Sequence, residues 1–243
     1  MSKKARRFLI VNADDFGRTS GVNRGIARAH EEGIVTSASL MVSWPAAAEA
    51  AAYGRAHPDL SIGLHVDLGE WAYRTDQWMP VYEFDPLNDR PAVKKELARQ
   101  LGAFRDLTGR DPTHLDSHQH VHHDQEPVSS LLLELAGELD VPLRHYHSEV
   151  QYCGAFYGQT QQGAAMPEAI SVESLISILA DLPAGVTELA CHPGEPDDLE
   201  STYREERAKE VEALCDPRVR ETLALERIEL RSFHSPDGRW PSD

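Results

Sequence analysis

Cysteine is scarce in this 243-residue sequence: Cys153, Cys191 and Cys215 are odd in number, widely spaced and without a CxxC pair. They are expected to be free thiols in a reducing compartment rather than parts of a disulfide framework. Long apolar runs are also missing, and none approaches the ~18 residues of a membrane span. The basic start, Met1 to Arg7, leads into only Phe8–Val11 before Asn12, too short for the apolar stretch of a signal peptide. These absences predict a soluble cytoplasmic protein. Basic residues are few, 24 against 40 acidic ones, and the formal charge of −16 repels nucleic-acid phosphates and anionic membrane surfaces. Several signatures are absent as well. Without GxGxxG after the first apolar run, dinucleotide binding has no support; without a P-loop or GxSxG, phosphate-cradling and serine-nucleophile readings have none. HExxH is lacking too, which disfavours zinc peptidases.

What remains is the pattern of short apolar runs, each followed by a helical stretch. Strands are predicted at 6–13, 35–42, 61–66, 113–117, 141–146, 186–191 and 228–231. Helices are expected over 20–32, 45–57, 92–107, 127–139, 172–182, 203–214 and 217–225, with a long loop at 69–91 and an irregular insert ending near Pro167. No repeat, low-complexity tract or linker interrupts the chain, so residues 1–243 form one expected domain. Seven alternating units predict an α/β fold with mostly parallel strands, a TIM-barrel-like (β/α)7 barrel.

The unusual polar residues fall at the predicted strand ends. Asp14 and Asp15 follow the first strand, His65 ends the third, Asp116 and His118 end the fourth, Arg144 the fifth and His192 the sixth. In a parallel barrel all of these lie on the same C-terminal face and converge on one pocket. Two adjacent carboxylates favour a bound cation, although Asp-Asp-x-Gly is also ordinary turn chemistry. In THLDSHQHVH, residues His114, Asp116, His118, His120 and His122 alternate, so an extended chain sets them on one face; a helix would instead pair His118 with His122. A solvated His-rich loop is the plainer reading. His114 and His123 are expected to be structural, and Cys191 to point into the core by strand alternation. One carboxylate with two imidazoles would leave coordination positions open for water and substrate.

Five motifs carry a family resemblance: Val11–Gly17 (VNADDFG), Ile62–His65 (IGLH), Thr113–His122, Phe156–Gly158 and Cys191–Pro193. In this order, over residues 11 to 193, the chain resembles the YdjC-like carbohydrate deacetylases, which are similar to chitooligosaccharide deacetylases. The resemblance implies a divalent metal held by Asp15, His65 and His118, with Asp14 as base and His192 as acid in removing an N-acetyl group from an amino sugar. Mg²⁺ is the metal that the family implies, while the ligand types also suit Zn²⁺. Arg144 and Tyr157 are candidate substrate-binding residues. Arg144 could equally orient Asp14, and the aromatics of the 69–82 loop could stack on sugars or simply pack. The expected partner is a small N-acetylated saccharide, and the family likeness allows a homodimer. Two other classes stay open: a metal-dependent phosphoesterase and a non-catalytic carbohydrate-binding module.

Overall fold

The structure is a computed structural model that describes residues 6–121, 123, 125–199 and 201–234. Its first half runs β1 (Arg7–Phe16), α1 (Ser20–Glu31), β2 (Ser37–Leu40), α2 (Ala47–Ala56), β3 (Ser61–Val66), β4 (Gly69–Arg74), β5 (Gln77–Glu83) and α3 (Arg90–Thr108). There follow β6 (Leu115–Ser117), α4 (Val128–Leu139), β7 (Val150–Cys153), α5 (Val172–Ala180), β8 (Gly185–Cys191), α6 (Glu205–Cys215), α7 (Pro217–Glu226) and β9 (Ile228–Arg231). Seven of the strands form one curled parallel sheet in the order β6-β3-β2-β1-β8-β7. The seventh, β9, pairs with Arg7–Ile10 of β1, on the edge that β2 takes over from Asn12. The expected barrel-like α/β fold is therefore present.

All ten residues of β1 are buried, as expected for a strand covered on both faces. The period of two sorts them. Leu9, Val11 and Ala13 join the core between sheet and helices, with Ile62 and Leu64 of β3 and Leu189 and Cys191 of β8. Burying each large aliphatic side chain there contributes roughly 1.5–3 kcal/mol. Phe8 and Ile10 point the other way and plug the bottom of the barrel with Val186 and Phe233. Above this plug the same face becomes polar: Asn12, Asp14, Ser39, His65, His114, Asp116 and Glu188 are all buried. The hydrophobic pattern thus builds a cup with an apolar floor and places its ionisable residues at the other end.

Three expectations change. The 69–91 loop contains an antiparallel hairpin, β4–β5, turned at Thr75 and Asp76, both with positive φ (49° and 62°). That is the geometry favoured by two-residue hairpins, here without the Asn-Gly or Asp-Gly that announces it. The predicted strand at 141–146 is reduced to one parallel bridge, Leu115 to Leu143, because His145 at φ 69° turns the chain away. The sheet instead takes its next strand, β7, from the segment assigned to the irregular insert. The membrane reading does not change: no described helix is long and apolar enough to cross a membrane.

Candidate metal centre and active site

Adjacent residues on a strand should diverge, yet Asp14 and Asp15 reach one cavity. Asp14 lies on the inward-facing register of β1. Asp15 takes a left-handed φ of 67°, and the pairing of β1 with β2 shifts register between Ala13 and Phe16, so its side chain swings inward too. β3 supplies His65 beside Asp116 of β6, the two being register partners. Gly63 makes room below them: a Cβ there would come within 2.4 Å of the His114 ring. After Ser117 the chain leaves the strand for a 3₁₀ turn, His118–His120, in which Gln119 and His120 have positive φ. This break ends the alternation, so the five residues expected on one face separate.

Asp15, His65 and His118 come together with one ligand atom from each within 4.8 Å of the others. Asp15 Oδ1 is 3.0 Å from His118 Nδ1 and 3.4 Å from His65 Nε2, and the two ring nitrogens are 3.3 Å apart. His65 Nδ1 lies 2.6 Å from Asp116 Oδ1 and donates to it, so Nε2 turns its lone pair to the centre. Asp15 Oδ1 is buried without a hydrogen-bond donor. Such a set of converging lone pairs is costly unless a cation fills it. The charges agree: Asp14, Asp15, Glu70, Asp116 and Glu188 face Arg18, Arg144 and Arg207, a deficit of two positive charges among the described residues. Burial pushes Glu210 nearby up to about 8, against the hydrogen bonds it accepts, so it adds little charge at neutral pH. Asp14, His65 and Asp116 also cluster, but the Arg144 guanidinium already bridges the two carboxylates.

Asp14 sits beside this centre. Its Oδ1 accepts from Arg144 at 2.7 Å and from Asn12 at 2.8 Å, while Oδ2 faces His192 Nε2 at 3.7 Å. Burial works to raise the Asp14 pKa, but the Arg144 guanidinium overcomes it and holds the carboxylate ionised. At Asp15, the Arg207 guanidinium outweighs burial in the same direction. Burial lowers His192 to about 4 despite both aspartates, so its ring is neutral at rest.

The remaining sequence candidates fall as follows. Arg144 is buried behind the cavity wall and binds Asp14, Asp116 and Glu188, which fits the orienting role better than substrate contact. Tyr157 lines the cavity and stacks on Tyr203, ring centroids 4.6 Å apart and ring planes nearly parallel. His114 is a core residue, bonded to Ser39 and lying against Phe233. His120 lines the cavity near Tyr152, His123 stands in the adjoining ring cluster, and His122 lies outside the described residues. Cys191 points into the core as expected.

The cavity, about 740 Å³, opens between Tyr157 and the β4–β5 hairpin, which contributes Trp71, Tyr73 and Trp78. The hairpin is tied to the turn that carries His118 by Gln119, whose amide pairs with both the N–H and the C=O of Trp71. Sequence reasoning missed Glu188, Arg207 and Glu210. A signal existed for the helical ones: Arg207 shares the inward stripe of α6 with Val211 and Leu214 at helical spacing, where a charge needs a partner.

Comparison with known proteins places this geometry in a family. The YdjC-like protein family model matches residues 8–225, and the chain belongs to that family. It is 31% identical to a carbohydrate deacetylase of Geobacillus stearothermophilus, over 93% of this chain and 97% of that one. It is likewise 31% identical to a chitooligosaccharide deacetylase of Serratia marcescens, over 93% and 98%. Among solved structures, a putative cellobiose-phosphate cleavage protein from Enterococcus faecalis is 28% identical with a TM-score of 0.76, covering 96% of this chain and 99% of that one.

Proposed function

We propose that this YdjC-like chain is a metal-dependent carbohydrate deacetylase that hydrolyses the N-acetyl group of an amino sugar or N-acetylated oligosaccharide. The reading is supported by one cavity lined by Asp15, His65 and His118, whose ligand atoms lie within 4.8 Å of one another, and by Asp14 and His192, 3.7 Å apart. One divalent cation fits the donor set and the charge deficit. Mg²⁺ is the family's implied metal, and the two imidazoles also suit Zn²⁺. When bound, such an ion polarises a carbonyl and acidifies water.

The protein's own groups do the rest. Asp14 accepts the proton of the attacking water on Oδ2, the oxygen that Arg144 and Asn12 leave free. Held ionised by Arg144, Asp14 keeps that proton only briefly and passes it to His192. The imidazole, neutral at rest, thereby becomes the acid that protonates the leaving amine, which departs poorly as an anion. Tyr157 on one wall and Trp71 and Trp78 on the other offer flat faces to sugar rings. The phosphoesterase alternative is weaker, since Arg18, Arg144 and Arg207 are each committed to a carboxylate, leaving none of the three for a phosphate.

The test is acetate release from a panel of N-acetylated saccharides by chelated protein reloaded with single metals. His192→Ala is expected to bind metal as the wild type does and to lose ~10²–10⁴-fold in turnover. No acetate from any substrate with any metal would refute the activity, and full turnover by His192→Ala would remove it as the acid.

A further inference from the structure

The two oxygens of Asp15 face different neighbours. Oδ1 looks at His65 and His118, and Oδ2 looks at two guanidiniums, bonded to Arg207 and 3.7 Å from Arg18. Arg18 is itself held by Glu70 at 2.6 Å, so Arg207 is the closer restraint. Arg207 is buried on α6, and all three of its guanidinium nitrogens are used: NH2 on Asp15, Nε on the Tyr203 carbonyl at 3.1 Å and NH1 on the His192 carbonyl at 3.4 Å. One turn on, Glu210 accepts the His192 backbone N–H and the Tyr203 hydroxyl. α6 can reach this point because Arg207 packs over Gly194, which in turn meets Gly25 of α1 so closely that a Cβ at Gly25 would lie 2.3 Å from its backbone.

We infer that Arg207 is a positioning residue that reserves Asp15 Oδ2, so that the carboxylate offers the metal a single oxygen and coordination positions stay open for water and substrate. The same guanidinium fixes the backbone of His192, which sets the acid at a constant distance from the metal centre. Its cost is affinity. A positive charge beside a divalent site opposes the ion, and a carboxylate limited to one oxygen binds it less firmly than a chelating one.

This inference rests on the assignment of Asp15, His65 and His118 as ligands, but its test needs no substrate. Apo protein is titrated with Co²⁺ by calorimetry and the visible spectrum of the loaded protein is recorded. Arg207→Met is expected to bind Co²⁺ at least ~10-fold more tightly than wild type, since charge and restraint leave together. The d–d bands should weaken as the freed Oδ2 raises the coordination number. Arg207→Lys, which keeps a charge near Oδ2, should restore affinity and spectrum towards wild type. Should the Met variant not fold, Arg207→Gln takes its place, with tighter binding again expected. Unchanged or weaker Co²⁺ binding by a folded uncharged variant would overturn the inference. Because binding is read without turnover, the inference can fail while acetate is still released, and it can hold in a protein that proves not to be a deacetylase.

Discussion

Replacing Arg144 by Met tests how the acid–base pair is held. The guanidinium is fully buried and contacts three carboxylates: Asp14 at 2.7 Å, Glu188 at 2.6 Å, and Asp116. Methionine fills most of the volume and removes the positive charge those carboxylates share. Breaking a buried ion pair costs ~3–5 kcal/mol, because it strands charge in a poorly solvating interior. At roughly 2–4 °C per kcal/mol for a chain of this length, the melting temperature should fall by ~6–20 °C. The deficit should also depend on pH, and its sign is fixed. In the wild type the Asp14 pKa lies below its ordinary 3.8, so its contribution is fully present above about pH 4, constant from pH 5 to 8, and lost only as pH falls further. Without Arg144, burial raises the stranded carboxyl pKa values; protonation then relieves the unpaired charge at low pH, and stability falls as pH rises. Thermal or urea unfolding of both proteins at pH 5 and pH 8 measures the difference, and Glu210, present in both, cancels. A loss under ~1 kcal/mol, or one equal at the two pH values, would refute the reasoning.

Two further substitutions separate the supporting groups. Asp116→Asn weakens the acceptor that orients His65 and should lower divalent-metal affinity ~10–100-fold in calorimetric titration; unchanged affinity would show that Asp116 does not set the His65 ligand. Glu210, raised from 4.5 to about 8, binds a proton in the folded state that the unfolded chain releases, so wild-type stability should fall between those pH values. Glu210→Gln should flatten that slope, and a variant with the wild-type slope would contradict the shift.

Much of the fold was legible because parallel strands buried on both faces read as short apolar runs with turns after them, as in β1, β3 and β8. The candidate site was legible for a related reason: in such a barrel, strand ends meet on one face, so Asp14, Asp15, His65, His118 and His192 could be gathered from positions far apart in the sequence. Three things were not. The β4–β5 hairpin turns on Thr75-Asp76, a pair without a strong turn signature, and its strand β5 contains Pro80. The 3₁₀ turn at His118 breaks an alternation that the sequence displays without interruption. Arg207 and Glu210 lie on α6, where their helical spacing with Val211 and Leu214 is the one signal of burial. The many charges around them make the stretch read as a solvated surface.

The most direct measurement is metal stoichiometry together with turnover. Protein stripped with a chelator should release no acetate and should recover full activity on adding one equivalent of divalent metal per chain, while Asp15→Ala and His118→Ala should bind no metal and stay inactive. Acetate release by the stripped protein, or a full equivalent of tightly bound metal in Asp15→Ala, would contradict the assignment of a single cation to Asp15, His65 and His118.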